Sequence, residues 1–112
     1  MKKAIITFSD FEKMDMKVGE VKEASLVEGS TNLIKMKVDL GVDYGTVEII
    51  SGIAKWYKPE NLCGNKYIFL ANLEPKLMMG LSSNGMILVA DDLEKPTLIP
   101  LDKSLKNGLV IR

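Results

Sequence analysis

Three neutral polar side chains, Ser82, Ser83 and Asn84, stand directly before an apolar run in the stretch GLSSNGMILVADD, residues 80–92. Hydroxyl and amide groups of this kind can bond phosphate oxygens or ribose hydroxyls without carrying charge. Asn-Gly is also a common tight-turn dipeptide, and Met86 to Ala90 has the composition of a buried strand. The stretch therefore has two interpretations, a simple turn or one lip of a polar binding surface.

A pair of lysines on a predicted strand forms a second candidate group. Between residues 34 and 40 the even positions are apolar and the odd positions are Lys35, Lys37 and Asp39. This period-2 alternation is typical of a strand with one buried face. The other face would present the two lysines about 6–7 Å apart, where they could contact phosphates. A solvated strand face remains the simpler interpretation of the pattern taken alone.

The composition argues against catalysis. The chain has no histidine and a single cysteine, Cys63. Ser-His-Asp and Cys-His catalysis and histidine-based zinc sites are thereby excluded within this chain, and the scattered acidic residues offer little to a magnesium ion. We expect a protein that is not an enzyme and uses no metal and no cofactor. Cys63 is expected to be a buried structural thiol, and the chain to work in the reducing cytoplasm.

Size and charge point to one globular domain without a strong attraction for polyanions. The chain has 112 residues, and 15 Lys and Arg balance 15 Asp and Glu. Its longest apolar run is far shorter than the ~20 residues that cross a bilayer, so no membrane contact is expected. Non-specific nucleic-acid binders usually carry a net basic face. Any nucleic-acid role must therefore depend on a local arrangement of lysines.

The first segment predicts a short helix followed by a bent strand. Ser9 and Glu12 fit the S-x-x-E capping box, so a helix is expected to run to about Met14. Residues 16–27 follow as a long strand. At Gly19 the alternation of apolar residues along that strand changes phase: Met16 and Val18 are in phase with each other, and Val21 is not. This change indicates a bulge or a sharp bend.

Four further strands are expected, and with the first they predict a small all-β barrel. They are placed at residues 34–40, 46–51, 66–71 and 86–90, with a loop at residues 72–80. Trp56 and Tyr57 precede Pro59 in an irregular stretch, where they could stack bases or, more commonly, close a barrel end. Five short strands without a long helix fit an OB-type barrel, although an SH3-like barrel has the same pattern.

Three sequence blocks carry a more specific signal. They are KVDLG (37–41), IISGIAKWYKPENLCGNKY (49–67) and NLEPKLMMGLSSNGMILVA (72–90). In order and separation these blocks closely resemble the tRNA-binding OB-fold domain of methionyl-tRNA synthetases, where it is the beta subunit or the C-terminal part. The same domain occurs as a small free-standing dimeric tRNA-binding protein. The resemblance extends over roughly residues 8 to 112.

The resemblance implies a fold and a domain plan. It implies a five-stranded OB-fold barrel with a short N-terminal helix and a C-terminal extension used in dimerisation. The whole chain would then be one domain, 1–112, divided into an N-terminal segment (1–15), the barrel (about 16–92) and a C-terminal dimerisation segment (about 93–112).

The resemblance also implies a function. It implies structure-specific tRNA binding, either by a free-standing homodimer or by an accessory (beta) subunit that has methionyl-tRNA synthetase as a further partner. Carried over position by position, it implies tRNA-binding roles for Lys35, Lys37, Asn72, Lys76, Ser83 and Asn84.

An alternative function starts from three neighbouring apolar residues, Leu77, Met78 and Met79. Soft, flexible side chains of this kind suit the binding of varied peptides. Relatives of this free-standing size are linked to protein export, so a chaperone-like dimer that binds exposed peptide segments is the competing hypothesis. Exposure of these residues would keep it open, and burial of all three would argue against it. A structural subunit that docks on a synthetase without touching RNA is a further alternative.

Overall fold

The computed structural model describes all 112 residues, and the chain is mostly β. One short helix, α1 (Phe8–Glu12), precedes the first strand, and a 3-10 turn (Pro59–Asn61) lies between the third and the fourth. The strands are β1 (Met16–Leu26), β2 (Ile34–Asp39), β3 (Thr46–Ser51), β4 (Lys66–Leu70), β5 (Lys76–Met78), β6 (Leu81–Ser83), β7 (Met86–Ile87), β8 (Ala90–Asp91), β9 (Pro96–Thr97) and β10 (Val110–Ile111). None of the helices is long and apolar enough to cross a membrane.

Six strands form one antiparallel sheet in which β1 is central. The order is β3-β2-β1-β4-β7, and β10 pairs with the first two residues of β1. Residues Met16–Glu20 pair with β4 and Glu20–Leu26 pair with β2, so one long strand joins both halves. The residues just before β7 lie against β3 at the opposite edge of the sheet, where the backbone amide of Asn84 donates to the Glu48 carbonyl at 2.8 Å. The sheet is thus a nearly closed five-strand barrel, which confirms the predicted OB-like, all-β fold.

The bend in β1 depends on a close approach at Gly19. A Cβ at this position would lie 2.6 Å from Cδ2 of Phe69 and 2.8 Å from Cδ2 of Leu40, so only glycine fits without a shift of the core. The pairing of β1 with β2 then shifts register between Val21 and Glu23. The predicted irregularity is therefore present, with the close approach at Gly19 and the bulge at the residues that follow.

The inner face of β2 supplies much of the core. Ile34, Met36 and Val38 are fully buried and pack in one cluster with Ile49 of β3 and Phe69 of β4. Full burial of such a side chain stabilises the fold by roughly 1.5–3 kcal/mol. The alternation in the sequence predicted this face correctly, because strand side chains point to opposite sides of the sheet in turn.

The helix begins earlier than its predicted capping motif. Thr7 is the N-cap, and its hydroxyl accepts a hydrogen bond from the Asp10 amide at 3.0 Å. The Asp10 carboxylate accepts in return from the Thr7 amide at 3.5 Å. The capping box is therefore Thr7–Asp10, not Ser9–Glu12, and α1 ends at Glu12 before the expected Met14.

The region between residues 72 and 90 contains more strand pairing than the sequence predicted. The expected loop contributes β5, which pairs with β6 to form the β5–β6 hairpin. Met79 (φ 53°) and Gly80 (φ 78°) supply its tight turn, since both central residues of a type I′ turn have positive φ. The turn therefore lies there and not at Asn84-Gly85. The expected strand 86–90 is divided into β7 and β8.

Side chains around the 3-10 turn correct one expectation and support another. Cys63 is exposed, contrary to the prediction of a buried thiol, because its neighbour Leu62 takes the core-facing position. Tyr57 packs against the core and donates its hydroxyl hydrogen to the Pro96 carbonyl at 2.9 Å, so it does close that end of the barrel. Trp56, by contrast, remains 42% exposed.

Candidate nucleic-acid interface

The outer faces of β1, β2 and β3 carry a row of alternating charges. The register places Lys37 between Glu23 on β1 and Glu48 on β3, and paired residues of neighbouring strands share one side of the sheet. Nζ of Lys37 lies 3.2 Å from Oε2 of Glu23. Nζ of Lys35 lies 3.7 Å from Oε1 of Glu48. We call the surface formed by Glu23, Ser25, Lys35, Lys37 and Glu48 the outer strand face.

Lys35 connects the outer strand face to the β5–β6 hairpin. An open depression of about 290 Å³ over the face is lined by Glu23, Ala24, Ser25, Lys35 and Lys37. A neighbouring cavity of about 410 Å³ is lined by Leu26, Val27, Glu28, Lys35, Met79 and Leu81. Since the last two residues belong to the hairpin, Lys35 borders both surfaces. A ligand on the outer strand face could thus extend to the hairpin tip.

Ser83 and Asn84 join the hairpin to β3. Ser83 is only 4% exposed, and its Oγ accepts a hydrogen bond from the Ile50 amide at 2.9 Å. The Asn84 amide donates to the Glu48 carbonyl, and its side chain is half-buried at the same edge. Asn84 therefore stands beside the glutamate that pairs with Lys35. The Ser83 hydroxyl is already engaged in holding β6 against β3.

Lys76 presents a cation that has no acidic partner within the chain. It is the first residue of β5, is exposed, and pairs across the hairpin with Ser83. It is absent from the six ion pairs of the structure. Its side chain lines a cavity of about 180 Å³ together with Ile50, Ser83 and Met86. Lys76 and Ser83 therefore share one small cavity where the hairpin meets β3 and β7.

Asn72 lies apart from the other predicted contact residues. Its Oδ1 accepts from the Asp15 amide at 2.8 Å, and its Nδ2 donates to the Lys13 carbonyl at 2.6 Å. The side chain thus ties the segment after β4 to the junction of α1 and β1. Five of the six predicted residues cluster around β2, β3 and the hairpin, whereas Asn72 fastens the N-terminal segment.

The acidic members of the outer strand face were not identified from the sequence. Alternation within β2 predicts that two lysines share a face, but it does not say which residues stand opposite them. Glu23 and Glu48 are placed there by the register of three strands. That register depends on the bulge in β1, which shifts every later residue of the strand by one place. Only the structure therefore shows that each lysine has an acidic partner.

A cluster of charges around the buried Lys17 lies at the start of β1, away from the outer strand face. Lys17 is 5% exposed, and its Nζ lies 3.7 Å from Oδ1 of Asp15 and 3.5 Å from Oδ2 of Asp43. The Tyr44 hydroxyl donates to Asp15 at 2.6 Å. This hydrogen bond, with burial and the nearby negative charge, raises the pKa of Tyr44 to about 12. The cluster fixes the turn after β2 against β1.

Two groups of exposed apolar residues lie outside the outer strand face. Ile5, Ile6 and Phe8 are exposed, and α1 buries none of its residues. A cavity of about 400 Å³ beside the helix is lined by five apolar residues, among them Phe8, Phe11 and Val110, and by five polar ones, which are Glu12, Lys13, Asp15, Asn72 and Arg112. The C-terminal segment reaches this area because β10 pairs with β1. Both chain ends thus contribute to one apolar area.

The second group is on the β5–β6 hairpin. Leu77 is 77% exposed and Met79 is 57% exposed, while Met78 is half-buried. The three residues are therefore not buried together, which keeps the peptide-binding hypothesis open.

Comparison with known sequences gives one family. The sequence profile described as putative tRNA binding domain matches residues 16–109. The methionine–tRNA ligase of Caldanaerobacter subterraneus subsp. tengcongensis is 44% identical over 103 residues, which make up 92% of this chain and 16% of the ligase. The corresponding ligase of Thermococcus kodakarensis is 40% identical over 107 residues, or 96% of this chain and 14% of the ligase. The chain thus spans about one-sixth or less of the length of these two ligases.

Comparison with solved structures gives two kinds of neighbour. The MetRS related protein from Pyrococcus horikoshii superposes with a TM-score of 0.92 at 36% identity, over 98% of this chain and 100% of that one. The chaperone CsaA from Bacillus anthracis str. Ames superposes with a TM-score of 0.84 at 27% identity, over 97% of this chain and 100% of that one. The same fold is therefore found in a synthetase-related protein and in a chaperone.

Proposed function

The chain belongs to the family of putative tRNA binding domains, and from that premise we propose that it binds tRNA through the outer strand face and the β5–β6 hairpin. The observation that supports this surface is the place of Lys35, which lines both the depression over the face and the cavity at the hairpin tip. Lys37 and Lys76 add a cation on each side. The proposed binding strip, made of these two surfaces, thus carries three lysines.

The chemistry of this strip suits a structured RNA backbone. Lysine contacts to phosphates release counterions and supply most of the affinity, but they do not read sequence. The half-buried amide of Asn84 can bond a ribose hydroxyl or a phosphate oxygen, which favours RNA over DNA. Ser83 and Asn72 contribute by holding the hairpin and the N-terminal segment in place. We therefore propose recognition of tRNA shape instead of its anticodon sequence.

The relatives indicate where such a domain would act. A tRNA-binding domain is a non-catalytic module, and aminoacylation in the matched ligases belongs to whole enzymes of which this chain covers a small part. We propose that the chain acts either as a free-standing dimer or as an accessory subunit of a methionyl-tRNA synthetase. In both cases it would hold tRNA and leave the chemistry to another protein.

A second copy of the chain is the proposed cover of the apolar area at the chain ends. Ile5, Ile6 and Phe8 would each lose contact with water if two copies met there. Leu109 and Val110 of the C-terminal segment are also more than 40% exposed, so this segment would share the contact. A symmetric pair would present two outer strand faces to one curved RNA.

Titration of the natural chain with tRNA at several salt concentrations tests the proposed function. Filter binding at ~50 mM salt should show saturable binding, and the affinity should fall steeply as salt rises because phosphate contacts dominate. A DNA duplex of similar length at the same salt is the matched control and should bind more weakly. Absence of any tRNA binding at ~50 mM salt would contradict the proposal.

Peptide binding is the second candidate function, favoured by the exposure of Leu77 and Met79 and by the likeness to a chaperone. Replacing both residues by serine should abolish binding of an unfolded polypeptide, because the exposed apolar contacts of the hairpin are lost. Light scattering during the aggregation of an unfolded test protein measures the first effect. If the double variant suppresses aggregation as well as the natural chain does, the hairpin does not bind peptides.

A further inference from the structure

We propose that Glu23 and Glu48 are specificity-determining residues that keep the outer strand face closed to unstructured polyanions. The proposal depends on the proposed function, because it concerns the same lysines. Each lysine of the face already has an acidic partner within the chain: Lys37 pairs with Glu23 and Lys35 pairs with Glu48. A ligand must therefore replace internal ion pairs before it gains contacts of its own.

The charges of the outer strand face cancel. It holds two lysines and two glutamates, so no long-range field favours a passing phosphate chain. The whole chain repeats this balance, with 15 basic and 15 acidic residues. Electrostatic steering requires a surface of one sign, and this surface lacks it. Binding must then come from phosphates held at short range and in fixed positions.

Glu48 has the larger effect because of its place between both lysines. It stands directly opposite Lys37 in the register and forms the ion pair with Lys35. Its side chain is 34% exposed, compared with 69% for Glu23. Since water screens an exposed charge strongly, Glu23 opposes phosphate binding less. The Glu48 backbone carbonyl also accepts from Asn84, which fixes the strand beside the hairpin.

This arrangement discriminates between ligands by geometry. A flexible single strand loses conformational entropy when it places two phosphates against Lys35 and Lys37, and this loss weakens its binding. A folded RNA presents phosphates in fixed positions and avoids much of that cost. The two glutamates thus lower the affinity for both ligands but leave measurable binding only to the structured one. The chain would gain selectivity at the expense of affinity.

Glu48→Gln and Glu23→Gln test the proposal, with Glu60→Gln as the matched control. Glu60 is exposed in the 3-10 turn and forms no ion pair, so its replacement changes the net charge equally. Binding of tRNA and of poly(U) is measured by filter binding over a range of salt, after thermal unfolding has shown that each variant is folded.

We expect Glu48→Gln to raise tRNA affinity roughly fivefold and to bring poly(U) binding into the measurable range, because both ligands then reach Lys35 without displacing an ion pair. The plot of log affinity against log salt should become steeper by about 0.9 for each lysine released. Glu23→Gln should give a smaller gain, roughly twofold. Glu60→Gln should match the natural chain.

Equal effects of Glu48→Gln and Glu60→Gln would overturn the proposal, because only net charge would then matter. Weaker binding by Glu48→Gln would also overturn it. The poly(U) readout separates this inference from the proposed function. If the natural chain fails to bind tRNA, tRNA binding is contradicted, yet tighter poly(U) binding by Glu48→Gln than by Glu60→Gln would still support the inference. If poly(U) binding also stays the same, both fail.

Discussion

Lys17 shows how one buried charge fixes the start of β1. Its side chain is held between Asp15 and Asp43, and removal of the ammonium group would leave Asp15 without its main cationic neighbour. We expect Lys17→Ala to lower the free energy of unfolding by about 1–3 kcal/mol in urea denaturation. Lys13→Ala is the control, since its ion pair with Asp10 is exposed and worth about 0–1 kcal/mol. Equal losses in both variants would contradict this role of burial.

Tyr44 gives a pH-dependent test of the same cluster. Its folded-state pKa is raised to about 12, above its ordinary value of 10.0, because Asp15 accepts its hydrogen bond and burial disfavours the phenolate. A raised pKa stabilises the fold fully below pH ~10, and that contribution is lost as pH rises through the folded pKa. The unfolding free energy of the natural chain should therefore fall more steeply between pH ~10 and 12 than that of Tyr44→Phe. Identical slopes would contradict the Tyr44–Asp15 hydrogen bond.

The direction of some side chains could be predicted from the sequence, but their hydrogen-bond partners could not. The outward direction of Lys35 and Lys37 followed from alternation alone. The hydrogen-bond partners of Ser83 and Asn72 could not be predicted, because the residue type alone does not tell which backbone group a side-chain hydroxyl or amide will contact. Ser83 bonds Ile50, and Asn72 bonds residues that are more than fifty positions away along the chain.

At the scale of elements, the contact between β6 and β3 decides how the hairpin is presented. The buried Oγ of Ser83 is the acceptor for the Ile50 amide. We expect Ser83→Ala to cost about 1–3 kcal/mol of unfolding free energy, because a buried backbone donor loses its partner. Ser82→Ala changes an exposed hydroxyl and should stay within about 0.5 kcal/mol of the natural chain. Equal stability of the two variants would show that Ser83 does not hold this contact.

The long elements could be predicted from the sequence, and the short ones could not. β2 and β3 have six residues each; β3 was placed correctly and β2, which carries a clear alternation, was placed to within one residue. β5 and β6 have three residues each, too few for a period to emerge. Their turn uses Met79 with positive φ, a residue type that gives no turn signal. The more typical Asn-Gly pair nearby serves instead as the link from β6 to β7.

At the scale of the whole molecule, the apolar area at the chain ends predicts a dimer. Phe8 is 71% exposed in the first turn of α1, where an acidic residue suits the positive end of the helix. We expect Phe8→Glu to remain folded and to shift a dimer to monomer, because it would bury a charge in the contact. Multi-angle light scattering measures the mass. Val42→Glu, at an exposed turn residue, is the control and should stay dimeric. A monomeric natural chain would contradict this prediction.

The barrel and its family were predictable because they depend on features spread over the whole chain. Five strand-like runs and three ordered motifs support them, so a local error such as a misplaced helix cap does not change the predicted fold or family. The detailed surface was not predictable, because it depends on the register between strands and on a single bulge. The central claim concerns that surface: Lys35 and Lys37 would carry the contact with tRNA.

A comparison of two double variants tests this claim most directly. Lys35→Ala/Lys37→Ala and Lys55→Ala/Lys58→Ala remove the same charge, but the second pair is exposed between β3 and the 3-10 turn, outside both proposed contact surfaces. In filter binding with tRNA at ~50 mM salt, the first variant should lose at least about tenfold in affinity. The slope of its log affinity against log salt should become less steep by the amount expected for the loss of about two phosphate contacts. The second should bind like the natural chain. Equal losses in both variants, or none in the first, would contradict the assignment of the outer strand face.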